Sequence, residues 1–150
     1  MKKDKIAFVV QRYGTNIGGG AEYHCRVLAE HMTSKYQVDV LTSTALEYTP
    51  WDDYFLDGEE LINGVNVHRF KVERIRNPIL FARLTDKMLE GISDVEEDWI
   101  DQMGPFCPGL IEFIKDRWSD YKAIVFFTYG YYTTLKGLAL KLPNSIFLPT

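Results

Sequence analysis

Hydrophobic positions along this chain come in two rhythms. Ile6-Ala7-Phe8-Val9-Val10 is continuously apolar and rich in β-branched and aromatic residues, as suits a strand buried on both faces of a parallel sheet. Ala123-Ile124-Val125-Phe126-Phe127 has the same character, and Val38 to Thr42 and Ser145 to Pro149 predict two further strands. Between the first two, the rhythm changes. Ala21, Cys25, Leu28, Ala29 and Met32 share one face of a helix that should end near Ser34. Glu22, Arg26 and Glu30 line another face at a spacing that lets them pair. Asn63-Gly64 separates Glu59–Ile62 from Val65–Phe70, a strong signal for a tight hairpin. The third parallel strand, Val65 to Phe70, is therefore expected to carry a small antiparallel partner.

The stretch 43–57 has no clear period, and its Pro50, Trp51, Asp52 and Asp53 suggest an ordered loop. The stretch 77–120 predicts a helical excursion: Ile79 to Glu90, Val95 to Met103, a break at Pro105 and Pro108, and a last helix opened by Pro108. A further helix is expected over Thr133 to Leu140. Strands that are apolar throughout, alternating with helices, define the fold class. It is α/β, a Rossmann-like parallel sheet with flanking helices and the expected order 3-2-1-4-5. At 150 residues the chain reads as a single domain.

Composition narrows the function classes. The 46% apolar and 25% charged content excludes a disordered tail or a disulfide miniprotein. Seventeen basic against 21 acidic residues give nucleic acid no basic footing, so it is not expected as a partner. Cys25 and Cys107 lie in no CxxC or Cys/His cluster, so no zinc site is expected and two buried thiols are. No stretch reaches the roughly 18 apolar residues of a membrane span, and a cytoplasmic protein is expected. The acidic run from Asp94 to Asp101 reads as a solvated helix face. His24, His31 and His68 have no partner motif and read as ordinary helix or surface histidines.

The chemistry concentrates in Gln11 to Gly20. In a doubly wound sheet the ligand crevice lies beyond the carboxyl ends of the strands, where the winding reverses. That point falls between the first and fourth strands and is reached by this loop and by Thr128 to Tyr132. Gly18-Gly19-Gly20 opens the first helix and removes every side chain there. Unpaired amides and the positive helix end then favour a phosphate or diphosphate. A turn alone would need one such glycine. Ala21-Glu22 follows the glycines, not Lys-Ser/Thr, so a Walker A loop is excluded. The second strand ends Leu41-Thr42-Ser43 without an acid, which disfavours a dinucleotide site.

These segments resemble the N-terminal half of the family 4 (group 1) glycosyltransferases. The likeness is carried by Lys5 to Val10, Gly18-Gly19-Gly20-Ala21-Glu22, a helix with Leu28-Ala29, and Val38 to Ser43. It continues in Gly64-Val65-Asn66-Val67-His68-Arg69-Phe70 and Lys122 to Phe126, and leaves out only 77–104. The resemblance implies one half of a GT-B fold, two Rossmann-like domains facing across a cleft. It implies transfer of a sugar, with retention, from a nucleotide-sugar donor to a glycan or lipid-linked acceptor, without metal or cofactor. The C-terminal donor-binding domain, with its E-x7-E motif, is not in this chain. The chain alone is therefore expected to be inactive, with its own C-terminal domain as a partner.

By the same resemblance Gly18, Gly19 and Gly20 would meet the donor diphosphate, with Arg12 as an added positive group. The acceptor candidates are Tyr13 and Asn16 in the glycine loop, and Tyr129 and Tyr131 after the fourth strand. Those tyrosines either stack on sugar rings or pack the crossover helix. Trp51, Tyr54 and Phe55 are further candidates on the acceptor side. The catalytic residues are not assigned. The helical excursion would shape the acceptor pocket or touch a membrane surface peripherally, though its acidic residues oppose strong attachment to an anionic bilayer. Two other classes fit the residues: a non-catalytic Rossmann-like binding or interaction module, and part of a GT-B nucleotide-sugar epimerase.

Overall fold

The computed structural model describes residues 1–150. The chain begins with β1 (Lys5–Val9), α1 (Gly20–Met32) and β2 (Gln37–Ser43). The hairpin β3 (Gly58–Ile62) and β4 (Val65–Phe70) follows, then three helices, α2 (Pro78–Leu89), α3 (Glu96–Met103) and α4 (Pro108–Arg117). It closes with β5 (Ala123–Phe127), α5 (Tyr132–Leu138) and β6 (Ser145–Leu148). The fold is α/β and Rossmann-like: a six-stranded, mostly parallel sheet flanked by helices.

The strand order is β3-β4-β2-β1-β5-β6. It differs from the expected 3-2-1-4-5 by the antiparallel strand β3 at the rim. The five parallel strands, counted alone, run third, second, first, fourth, fifth. Asn63 (φ 49°) and Gly64 (φ 85°) form the turn between β3 and β4, both with the positive φ that a two-residue hairpin turn requires.

The apolar run of β1 is continuous because both of its faces are covered. Ile6, Phe8 and Val10 pack with Cys25 and Ala29 of α1 and with Val40 and Val67. Ala7 and Val9 pack on the other face with Ile100 of α3, Leu110 and Ile114 of α4, and Phe126. Burying a side chain such as Phe8 contributes about 2–3 kcal/mol. The register pairs Phe8 with Val40 on one side and Val125 on the other, which sets β1 at the centre of the parallel ladder. Helix α2 lies outside, on α3, where Phe81 stacks on Trp99 at 6.0 Å. No helix is long and apolar enough to cross a membrane.

The two rims differ. The β3 rim carries Glu59 and Glu60, both exposed, whereas the β6 rim exposes Ile146 and Phe147 and has no charged residue within the strand.

Candidate functional site

The loop from Val10 to Gly19 leaves the carboxyl end of β1 and enters α1. Gly18, Gly19 and Gly20 are all exposed. A Cβ built on Gly18 or Gly20 would meet nothing within 4 Å. Gly19 is different. Its φ of 126° suits only glycine, and a Cβ there would fall inside the contact radius of Glu22 Oε2. Gly19 is the N-cap of α1 and supplies no side-chain cap. The first bonded amide is that of Tyr23, which donates to Gly19 O at 3.0 Å. The five preceding amides, Gly18 to Glu22, have no protein acceptor.

Glu22 turns inward under this run. It lies three and seven residues before Cys25 and Ala29, on the buried stripe of α1, and its side chain is 2% exposed. Its Oε1 accepts from Gln11 Nε2 at 3.1 Å, from Arg12 Nε at 3.0 Å and from the Tyr48 hydroxyl. Its Oε2 is buried and has no hydrogen-bond partner. The pairing of Glu22 with Arg26 suggested by their spacing is not formed. Arg26 pairs with Glu30 at 3.6 Å, while Glu22 takes Arg12.

Arg12 is fully engaged. Nη1 donates to Leu46 O at 2.7 Å, Nη2 donates to Gly18 O at 2.9 Å, and the guanidinium lies 3.6 Å from the centre of the Tyr48 ring. Arg12 thus ties the glycine loop to the loop after β2. Its role as an added positive group for a phosphate is corrected on this ground, because its donors already face the protein.

A shallow cavity of about 380 Å³ opens between Asn16–Gly19 and Leu46–Tyr48. It lies between the loops after β1 and β2, on the β2 side of the expected crevice. Tyr131, after β5, reaches the same group of rings: it stacks on Tyr48 at 5.9 Å and meets Trp51 edge-on at 5.8 Å. Burial, then Tyr48 and Glu22, push the Tyr131 phenol up to about 12, so it is a hydrogen-bond donor at neutral pH. On the other flank His24, one turn after Gly20, meets Phe127 at the end of β5 with ring centres 5.8 Å apart.

The structure therefore brings Gly18, Gly19, Gly20, Asn16 and Tyr131 to one end of the sheet. The other two acceptor candidates lie at the same end but stand apart from this group. Tyr13 is fully buried in the core with Phe8, Val10 and Cys25, so its ring cannot meet a ligand; this corrects the expectation. Tyr129 is 68% exposed and stacks on none of the site's rings. Trp51 is likewise a core residue, fully buried with its Nε1 donating to Met103 O at 2.8 Å. Tyr54 and Phe55 pack on each other, with Phe55 under Arg69.

Sequence reasoning missed Gln11, Glu22 and Tyr48 as members of this site. For Glu22 the face was misassigned: its spacing to Cys25 and Ala29 puts it on the buried stripe of α1 and not on a separate face with Arg26 and Glu30. A larger cavity, about 600 Å³, lies at the opposite end of the sheet beside Lys2 to Lys5. Its Lys3 and Lys5 are taken by Thr33 O and Asp39, and no glycine loop or helix start faces it.

No family model, curated protein or solved structure matches this chain.

Proposed function

We propose that this chain is the acceptor-side half of a retaining glycosyltransferase. Its donor would be a nucleotide-sugar and its acceptor a glycan or a lipid-linked glycan. The observation that carries this reading is the run of five amides, Gly18 to Glu22, without a protein acceptor at the start of a helix behind the central strand. Such a run favours an anion with two or more oxygens.

In sugar transfer, negative charge grows on the departing diphosphate, and fixed N–H dipoles stabilise it without reorganising. In this reading the backbone of Gly18 to Gly20 supplies those dipoles, and the further cationic groups come from a second domain. Tyr131 and Asn16 flank the acceptor side, where a tyrosine ring offers a stacking face and a hydroxyl donor. No metal or cofactor is called for. Peripheral contact with a lipid surface is supported by exposed Ile75, Ile79 and Leu80 around the start of α2 and opposed by acidic α3.

Calorimetric titration with UDP-glucose and GDP-mannose tests the reading. The expected result is binding near 1 mM, or about −4 kcal/mol, lost when Gly18 and Gly20 are both changed to Val, and no sugar transfer by the chain alone. Failure of a panel of nucleotide-sugars to bind would remove the reading.

A second reading, a non-catalytic Rossmann-like binding module, is favoured by one feature. Every nitrogen of Arg12 is engaged, so this nearest cation is not free for a ligand. Binding of nucleotides with no preference for their sugar-linked forms would select it.

A further inference from the structure

We infer that Glu22 is a specificity residue of the glycine loop: its carboxylate is the built-in counter-anion of the α1 start and keeps free pyrophosphate off the amides. The inference deepens the proposed function and rests on the loop being a diphosphate site. Three observations carry it. Glu22 is 2% exposed, yet its Oε2 has no donor. That bare oxygen lies against Gly19, where a side chain would collide with it and come within 3.4 Å of Arg12 Nη2. All three donors to Glu22 converge instead on Oε1, which leaves the charge on the loop side uncompensated by hydrogen bonds.

The consequence is electrostatic. A helix start with five open amides and a nearby arginine would ordinarily hold any small phosphate. Here the arginine is neutralised by Glu22, and a dianion on the amides would sit beside a second negative charge. A ligand that relies on phosphate contacts alone is rejected. A ligand that adds contacts beyond the loop, through a nucleoside or a sugar, is retained. Discrimination of this kind works by penalising the competitor.

The test titrates inorganic pyrophosphate against the wild-type chain, Glu22→Gln, and the neutral pair Arg12→Gln with Glu22→Gln, with folding checked by circular dichroism. Glu22→Gln is expected to bind pyrophosphate at least tenfold more tightly than wild type, with the gain falling as salt is raised. The double variant is expected between the two, and it decides the matter if Glu22→Gln does not fold. If the decisive folded variant binds pyrophosphate no better than wild type, Glu22 only anchors Arg12 and the inference is overturned. Failure of the functional reading looks different: nucleotide-sugars then bind wild type no better than pyrophosphate, whatever Glu22→Gln does.

Discussion

His68 of β4 places Nε2 3.1 Å from Asp39 Oδ2 of β2, beneath the face covered by α4. Asp39 is fully buried, and Lys5 Nζ and the Tyr121 hydroxyl reach the same oxygen at 2.8 Å each. Glu59 holds the other ring nitrogen of His68 at 3.2 Å. Burial alone would raise the Asp39 carboxyl, but hydrogen bonds from His68, Lys5 and Tyr121 outweigh it and hold it down at about 2. An unfolded aspartate titrates near ~3.9. Ionised Asp39 therefore stabilises the fold above about pH 4, and this contribution is lost as pH falls toward about 2. Its size is about 1–2 kcal/mol once partial solvent screening is allowed for. Denaturant melts between pH 5 and 2 should show this loss in the wild type. Asp39→Asn should be about 3 kcal/mol less stable at neutral pH and flatter across that window.

The three loop glycines should respond differently to alanine. Gly18→Ala meets open space and should change stability by less than about 0.5 kcal/mol. Gly19→Ala combines a φ of 126° with a clash on a pinned carboxylate and should cost about 2 kcal/mol or more. Urea melts of the two single variants provide the comparison, and equal midpoints would show that Glu22 moves aside and that the backbone at Gly19 relaxes out of its positive φ as well.

Two helical glycines give a second contrast. Gly20 opens α1 with nothing near its missing side chain, so Gly20→Ala should stabilise by up to about 1 kcal/mol. Gly137 lies in α5, and a Cβ there would overlap the ring of Phe126. Helix propensity favours alanine at this position too, but overpacking of about 1–3 kcal/mol wins, so Gly137→Ala should destabilise. Thermal melts read both signs.

Cys25 and Cys107 are fully buried, and burial pushes both thiols well above their ordinary range. The thiolate is the reactive form, so neither should react with a disulfide reagent in the folded protein. Both should react within minutes in denaturant, as followed by absorbance. Rapid native labelling of either would show local opening of its face of the sheet.

Much of the fold was legible because β1 from Ile6 onward and β5 throughout are apolar at every position, as a strand covered on both faces is; β6 carries the same signal from Ile146 to Leu148 but lies at the rim, with Ile146 and Phe147 exposed. The hairpin was legible for a local reason, the positive φ of Asn63 and Gly64. Helix ends were less so. α1 ends at Met32, two residues short of Ser34, and its last turn tightens at Thr33, whose amide returns to Glu30 O at 3.3 Å. The site was legible only in its backbone. Glycine runs announce bare chain, so Gly18 to Gly20 could be placed. Side chains that arrive from distant loops could not. Tyr48 reaches Glu22 across 26 positions and Tyr131 reaches Tyr48 across 83, contacts that no local period encodes. Tyr13 misled because its place in a loop suggested access, whereas the loop folds down and seals the ring under α1.

The unlike borders of the sheet bear on how copies of this molecule would behave when crowded. Glu59 and Glu60 place two exposed carboxylates on that border, paired with His68 and Arg69 of β4, and charged side chains there disfavour strand addition. The opposite border, with Ile146 and Phe147, carries no such charge. A particle that can be extended from one border alone cannot grow without end: two such borders meet, cap each other, and leave only acidic margins outward. For residues 1–150 taken alone, self-association by this route would stop at a pair and would not run on into fibres.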